Sequence, residues 1–313
     1  MLGEKMDFNK YQYRIPSPRV KKVIIDTDAK NEADDPFAIV HALISPSFDI
    51  RGIIATHFGH ERIMDSMEAS FEEVLRVLQH MGLEGKVKAI KGSKTNISIT
   101  KEPAFFKWYA PQRNEGVDFI IDEVEKCNDG KIYIAVLGPL TNVASAFLIK
   151  PEIADKIVVV WNGGATYPTG GREFNLVNDI GAANVLFSST AEIWQIPTKV
   201  YDKPSVSLAE LQVKLQPRGE IGNYLFNQLT EFLTMADANG WPMTEIFTIC
   251  DMTVTGLLLN EQRFCYDYIS APVISEDMFY FPRENARPIR VYNNMDVRVI
   301  LEDLFCKLAI LYP

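Results

Sequence analysis

Short, nearly continuous apolar runs alternate along the chain with segments whose apolar residues recur every three or four positions. The runs are Val23-Ile24-Ile25, Ile50 to Thr56, Lys86 to Ile90, Lys131 to Leu137, Ile157 to Trp161 and Glu192 to Ile196. Each has the length and β-branched content of a buried strand. Between them, Phe71, Val74, Leu75 and Leu78, and then Val117, Ile120, Ile121 and Val124, take helical spacing. Gly82 ends the first of these helices. Apolar strands alternating with helices predict an α/β fold, a Rossmann-like open sheet of mostly parallel strands with helices on both faces.

Residues 1–19, polar and aromatic with two prolines, read as an arm on the surface. Residues 20–313 show no clear linker and read as one domain with a helical excursion around 204–260. There Ile221, Leu225, Leu229 and Phe232 form one helical face. Ile249-Cys250-Asp251 opens another helix, short strands follow from Tyr266 and Pro288, and a helix from Asp296 closes the chain. In open parallel sheets a ligand lies beyond the carboxyl ends of the strands. Four polar segments leave such ends: Asp26 to Asp35, His57 to His60, Leu137-Gly138, and Asn162-Gly163-Gly164.

The first of these is the most unusual. Val23-Ile24-Ile25 runs into Asp26-Thr27-Asp28, and after five intervening residues Asp34-Asp35-Pro36 starts a helix. One acid would cap that helix and complement its dipole, with proline in the first turn. Four aspartates with Asn31 and Glu32 exceed that need, and such a crowd is repulsive unless a cation sits in it. Hard oxygen ligands on one loop suit calcium or magnesium.

Composition narrows the classes. With 313 residues, 47% hydrophobic and 23% charged, the chain can bury a large core. Its net charge of −9, without a basic stripe, argues against nucleic acid as a partner. No apolar run approaches the ~18 residues that span a bilayer, and the N-terminus lacks a signal-peptide core, so no membrane role and a cytoplasmic location are expected. Cys127, Cys250, Cys265 and Cys306 are far apart, which fits neither a zinc site nor a disulfide framework.

Asp26 to Ala38 resembles the DxDPGxDDAxA signature of the inosine-uridine-preferring nucleoside hydrolases, with a two-residue insertion and without the Pro-Gly pair. Asn31-Glu32-Ala33-Asp34-Asp35 looks like the DxxNEPDD form of a related branch. The resemblance continues through Gly116 to Ile121, Gly138-Pro139-Leu140-Thr141-Asn142, Asn162-Gly163-Gly164, Glu173-Phe174-Asn175 and Asp179. It implies a nucleoside-hydrolase-like fold and calcium-dependent cleavage of a ribonucleoside into free base and ribose. By the same match Asp28 is a calcium ligand and the general base towards a calcium-bound water. Asp35, the Leu137 carbonyl and Asp251 complete the metal cage, while Asp34, Glu173 and Asn175 hold the ribose hydroxyls. Family members are commonly dimers or tetramers, so a homo-oligomer is implied.

Several positions depart from that pattern. Cys250 stands where the family has its histidine acid, and His60 replaces an asparagine at the second strand end. The asparagine before the EFN segment has no counterpart in Thr166 to Arg172. His60 and Asn31 are candidate pocket residues; Trp108, Tyr109, Tyr167 and Trp241 lie in loops where they would stack a base or simply pack. His41 and His80 read as structural, and Arg172 as a ligand contact or a surface charge. Two other functions stay open: a non-catalytic nucleoside or sugar binder of the same fold, and a haloacid-dehalogenase-type phosphatase suggested by Asp26-x-Asp28. Against the latter, Lys30 occupies the place of its Thr or Val.

Overall fold

The computed structural model describes residues 6–100, 108–240, 242, 244–261 and 263–313. β1 (Lys21–Thr27) leads through the acidic loop into α1 (Asp35–Leu43), and β2 (Phe48–Ala55) into α2 (Ser66–His80). β3 (Ala89–Lys91) is followed by β4 (Ser98–Thr100) and β5 (Trp108–Ala110), which pair antiparallel within a stretch that reads as a loop in sequence. Then come α3 (Glu115–Lys126), β6 (Ile132–Val136), α4 (Thr141–Ile149), β7 (Ile157–Asn162), α5 (Phe174–Asn178), α6 (Ile180–Ser188) and β8 (Glu192–Ile196). The C-terminal third holds α7 (Thr198–Tyr201), β9 (Ser205–Ser207), α8 (Leu208–Lys214), α9 (Gly219–Ala238), β10 (Ile246–Thr248) and α10 (Met252–Leu259). It closes with β11 (Cys265–Ser270), β12 (Val273–Ile274), β13 (Tyr280–Phe281), β14 (Pro288–Asn294) and α11 (Val297–Leu311).

The main sheet has the order β11-β14-β8-β7-β6-β1-β2-β3. Every pairing from β14 to β3 is parallel, and only the edge strand β11 runs antiparallel to its neighbour. Alternation along each strand sends successive side chains to opposite faces. Val23 and Ile25 pack with α1, α9, α10 and α11 on one face, whereas Ile24 packs with α3, α4 and α6 on the other. Burial on both faces is why these strands read as unbroken apolar runs.

The N-terminal arm is tied down more firmly than its composition suggests. Tyr11 is buried, and its hydroxyl donates to the Ile44 carbonyl at 2.8 Å. His41 is a core residue, with Nδ1 2.8 Å from Thr255 Oγ1 and Nε2 2.7 Å from Asp303. His80 stacks on Tyr224.

Candidate active site

The carboxyl ends of β1, β6 and β7 and the start of α10 meet at one place. Asp34, Asp35 and Asp251 each offer an oxygen there, all within 4.8 Å of one another. Asp34 is the N-cap of α1, yet its side chain makes no capping hydrogen bond. Capping is therefore not what keeps the acid there.

Asp28 sits beside the triple, 1% exposed, and its Oδ2 has no hydrogen-bond partner. Burial raises its pKa, and the charge of Asp35, then of Asp34 and Glu32, raises it further. Burial followed by their neighbours' charges likewise lifts Asp34 and Asp251. Asp35 is pushed up to about 6, held back by the Thr27 hydroxyl that donates to its Oδ1. Four buried carboxylates with raised pKa values, one with an orphaned oxygen, are the donor set a hard divalent cation would satisfy.

Neighbouring residues fix this geometry. Asn162, the last residue of β7, donates from Nδ2 to Asp251 Oδ1 at 2.8 Å and accepts from the Thr253 hydroxyl at 3.1 Å. Gly138 leaves room for Asp28, since a Cβ at that position would stand 2.6 Å from Asp28 Oδ1. Asn142 donates to Asp26 Oδ1 at 3.0 Å and accepts from the Ser93 backbone N–H at 2.8 Å, pinning β1 to the loop after β3. Burial pushes Asp26 up to about 7.

The inserted part of the acidic loop is braced from three sides. Arg62 donates to the Asn31 carbonyl at 3.0 Å and Oδ1 at 2.8 Å, and pairs with Glu32 at 3.5 Å. Its guanidinium also lies 4.9 Å from the centre of the Phe174 ring. Lys30 pairs with the buried Glu73 of α2 at 3.0 Å, and Gln228 of α9 donates to the Ala33 carbonyl at 2.8 Å.

α5 brings the remaining polar candidates. Asn175 donates from Nδ2 to the carbonyls of Leu137 and Asn162, leaving Oδ1 as its acceptor. Glu173 caps α5 and accepts from the Asn175 and Leu176 backbone N–H groups. Thus Asp28, Asp34, Asp35 and Asp251 come together, and Asn175 meets Leu137. Asn31 faces Arg62.

His60 stands apart from them at the surface, with Nδ1 3.0 Å from the Met64 carbonyl. Arg62, two residues on, is the side chain from that loop that reaches Phe174. Tyr109 packs over Gly181, and Tyr167 packs on Tyr280 while donating to Gln195. Arg172 is exposed. Trp241 and the Trp108 side chain lie outside the described residues.

The supports supplied by Thr253 and Arg62 are not individually legible in the sequence. Only Asn162 carried a signal there, as the polar end of an apolar strand.

The profile of the inosine-uridine preferring nucleoside hydrolases matches residues 23–304, nearly the whole chain. The chain belongs to this family. Among similar proteins, a probable uridine nucleosidase 2 from Oryza sativa subsp. japonica is 29% identical over 222 residues. That match spans 63% of this chain and 63% of the rice protein's own length. A pyrimidine-specific ribonucleoside hydrolase, RihB, from Escherichia coli O1:K1 is 24% identical over 77% of this chain and 79% of its own.

Two solved structures share the fold. The plant nucleoside hydrolase PpNRh1 superposes with a TM-score of 0.73 at 20% identity, covering 94% of this chain and 99% of its own. The purine-preferring ribonucleoside hydrolase from Gardnerella vaginalis gives 0.74 at 20% identity, covering 93% and 99%. No helix among the described residues of this family member is long and apolar enough to cross a membrane.

Cys250, which the resemblance sets at the family's histidine position, points its thiol at the Thr248 carbonyl at 3.8 Å. Burial, followed by the charges of Asp34 and Asp251, raises its pKa well above that of an ordinary thiol. It stays protonated and is a weak proton donor.

Proposed function

We propose that the protein hydrolyses the N-glycosidic bond of a ribonucleoside or related ribosyl compound to free base and ribose. Calcium would be held by Asp28, Asp35, Asp251 and the Leu137 carbonyl. The observation that carries this reading is the convergence of four buried carboxylates with Asn175 at the carboxyl ends of parallel strands. When bound, the cation supplies positive charge that lowers the pKa of a water and of hydroxyls in its reach.

Asp28 acts as the general base, a reading supported by its place beside the carboxylate cluster and by its buried Oδ2, which has no protein partner. It accepts a proton from the attacking water as the water oxygen bonds to the anomeric carbon. The bond from that carbon to the base nitrogen breaks, and its electron pair leaves with the base. Positive charge that develops on the sugar is stabilised by the surrounding carboxylates. Asp34 and the Asn175 Oδ1 face the sugar hydroxyls. Asn162 holds Asp251 in place and Gly138 admits Asp28.

The test is base release from a panel of purine and pyrimidine ribonucleosides with calcium present, for the wild type and Asp28→Asn. Loss of general-base action should slow the variant by ~10²- to 10⁴-fold. No turnover of any compound by the wild type sinks the reading. Because Cys250 is a poor acid, binding of the sugar without hydrolysis over days is the specific outcome that would assign a non-catalytic binder instead.

A further inference from the structure

Glu173, which the resemblance assigns to the ribose hydroxyls, is 5% exposed and has no acceptor position to spare for one. Its Oε2 accepts from the backbone N–H groups of Gly164 and Leu176, each at 2.8 Å. Its Oε1 accepts from the Asn175 N–H at 3.1 Å and from the Tyr201 hydroxyl at 2.8 Å. An ionised carboxylate offers about four lone-pair sites, so all of them are taken by the protein. Three of the donors are backbone groups fixed by the start of α5 and the end of β7. Only the Tyr201 hydroxyl comes from a side chain, at the last residue of α7.

We propose that Tyr201 is a specificity-determining residue. By occupying the last acceptor position of Glu173, it takes the hydrogen bond that a sugar hydroxyl would make there. The pocket therefore favours ribosyl compounds for which that one hydroxyl is dispensable, including those that lack it. The Tyr201 phenol is held in its neutral form by burial and by the nearby Glu173 charge, so it donates throughout the working pH range. The inference rests on the reading of this pocket as a ribosyl site but does not require that catalysis occur.

Binding of an inert sugar separates the two. 1,4-Anhydro-D-ribitol carries the three ribose hydroxyls and no leaving group; its 2-, 3- and 5-deoxy derivatives each lack one. Calorimetric titration of the calcium-loaded wild type should find one deoxy compound within about twofold of the parent. The other two should be weaker by ~5- to 10-fold, the loss of one hydrogen bond. In Tyr201→Phe, with unchanged melting temperature as the folding control, the parent should gain affinity. The formerly tolerated deoxy compound should now fall ~5- to 10-fold below it.

The wild-type ranking tests the idea even if the variant misfolds. Equal losses for all three deoxy compounds, or the same ranking in wild type and variant, overturn the role of Tyr201. Binding of none of the four overturns both it and the ribosyl site. Sugar binding with the expected ranking but no nucleoside turnover leaves Tyr201 in place and removes the hydrolase reading alone.

Discussion

The Asn175 side-chain amide donates to the Leu137 carbonyl at 2.6 Å. Two residues that the family resemblance assigns separately, one to the sugar and one to the metal, are thus one unit. On the proposed function, the carbonyl would keep a second lone pair for a cation, its direction set by the amide whose Oδ1 would meet the sugar. Asn175→Ala should therefore weaken both. Removing a hydrogen bond of ordinary strength predicts ~5- to 10-fold lower calcium affinity and a similar loss for ribosyl ligands. Calcium-dependent thermal stabilisation and sugar titration read the two separately; a change in only one would show that they are not linked.

Metal-free protein should lose stability as pH rises. Asp35 and Asp179 are pushed up to about 6 and Asp26 to about 7, from an ordinary value of 3.8. The folded state then binds more protons than the unfolded state between about pH 4 and 7, so stability is present at the lower end and falls through that window. His57 acts in the opposite sense, because burial lowers it to about 4 and keeps it neutral when folded. It costs stability as pH falls below its ordinary 6.5, but the raised carboxylates outnumber it. Melting temperatures in chelator should fall from pH 5 to 7.5, and calcium should restore more at pH 7.5 than at pH 5.

Cys250 should matter little to turnover. Its half-buried thiol has a raised pKa, from desolvation first and then from the charges of Asp34 and Asp251. Cys250→Ala is expected to retain kcat within about threefold, since no acid contribution of the usual ~10²-fold is being removed. The rate should instead depend steeply on the leaving group, with a p-nitrophenyl riboside cleaved far faster than inosine. A hundredfold loss in Cys250→Ala would make the thiol the acid, and equal rates for the two substrates would show that leaving-group departure is not what limits turnover.

Arg62 and Asn31 should act as a pair. The guanidinium bonds both the backbone and the side chain of Asn31 while lying over Phe174. Asn31→Ala and Arg62→Ala should each raise KM severalfold with calcium affinity unchanged. The double variant should fall short of the product of the two, with a coupling of ~0.5–1 kcal/mol. Additive effects would make the inserted residues a spacer.

The chain order of strands and helices was legible because it depends on local periodicity. Unbroken apolar runs such as Ile157 to Trp161 can be buried only between two layers. The acid clusters at strand ends then point to a pocket. The sequence also places Asp28, Asp34 and Asp35 on one loop, since only five residues separate Asp28 from Asp34.

What only the tertiary structure decided is who faces whom. Asp251 lies more than two hundred residues from that loop, and packing of α10 against α1 and β7 brings it in. His60 and Arg62 are two residues apart on one irregular loop, where no period tells which turns inward; the fold sends Arg62 over Phe174 and His60 to solvent. Tyr201 shows the same limit most plainly. A tyrosine after a strand carries no local sign of its partner, and its role appears only once the lone pairs of Glu173 are counted in three dimensions.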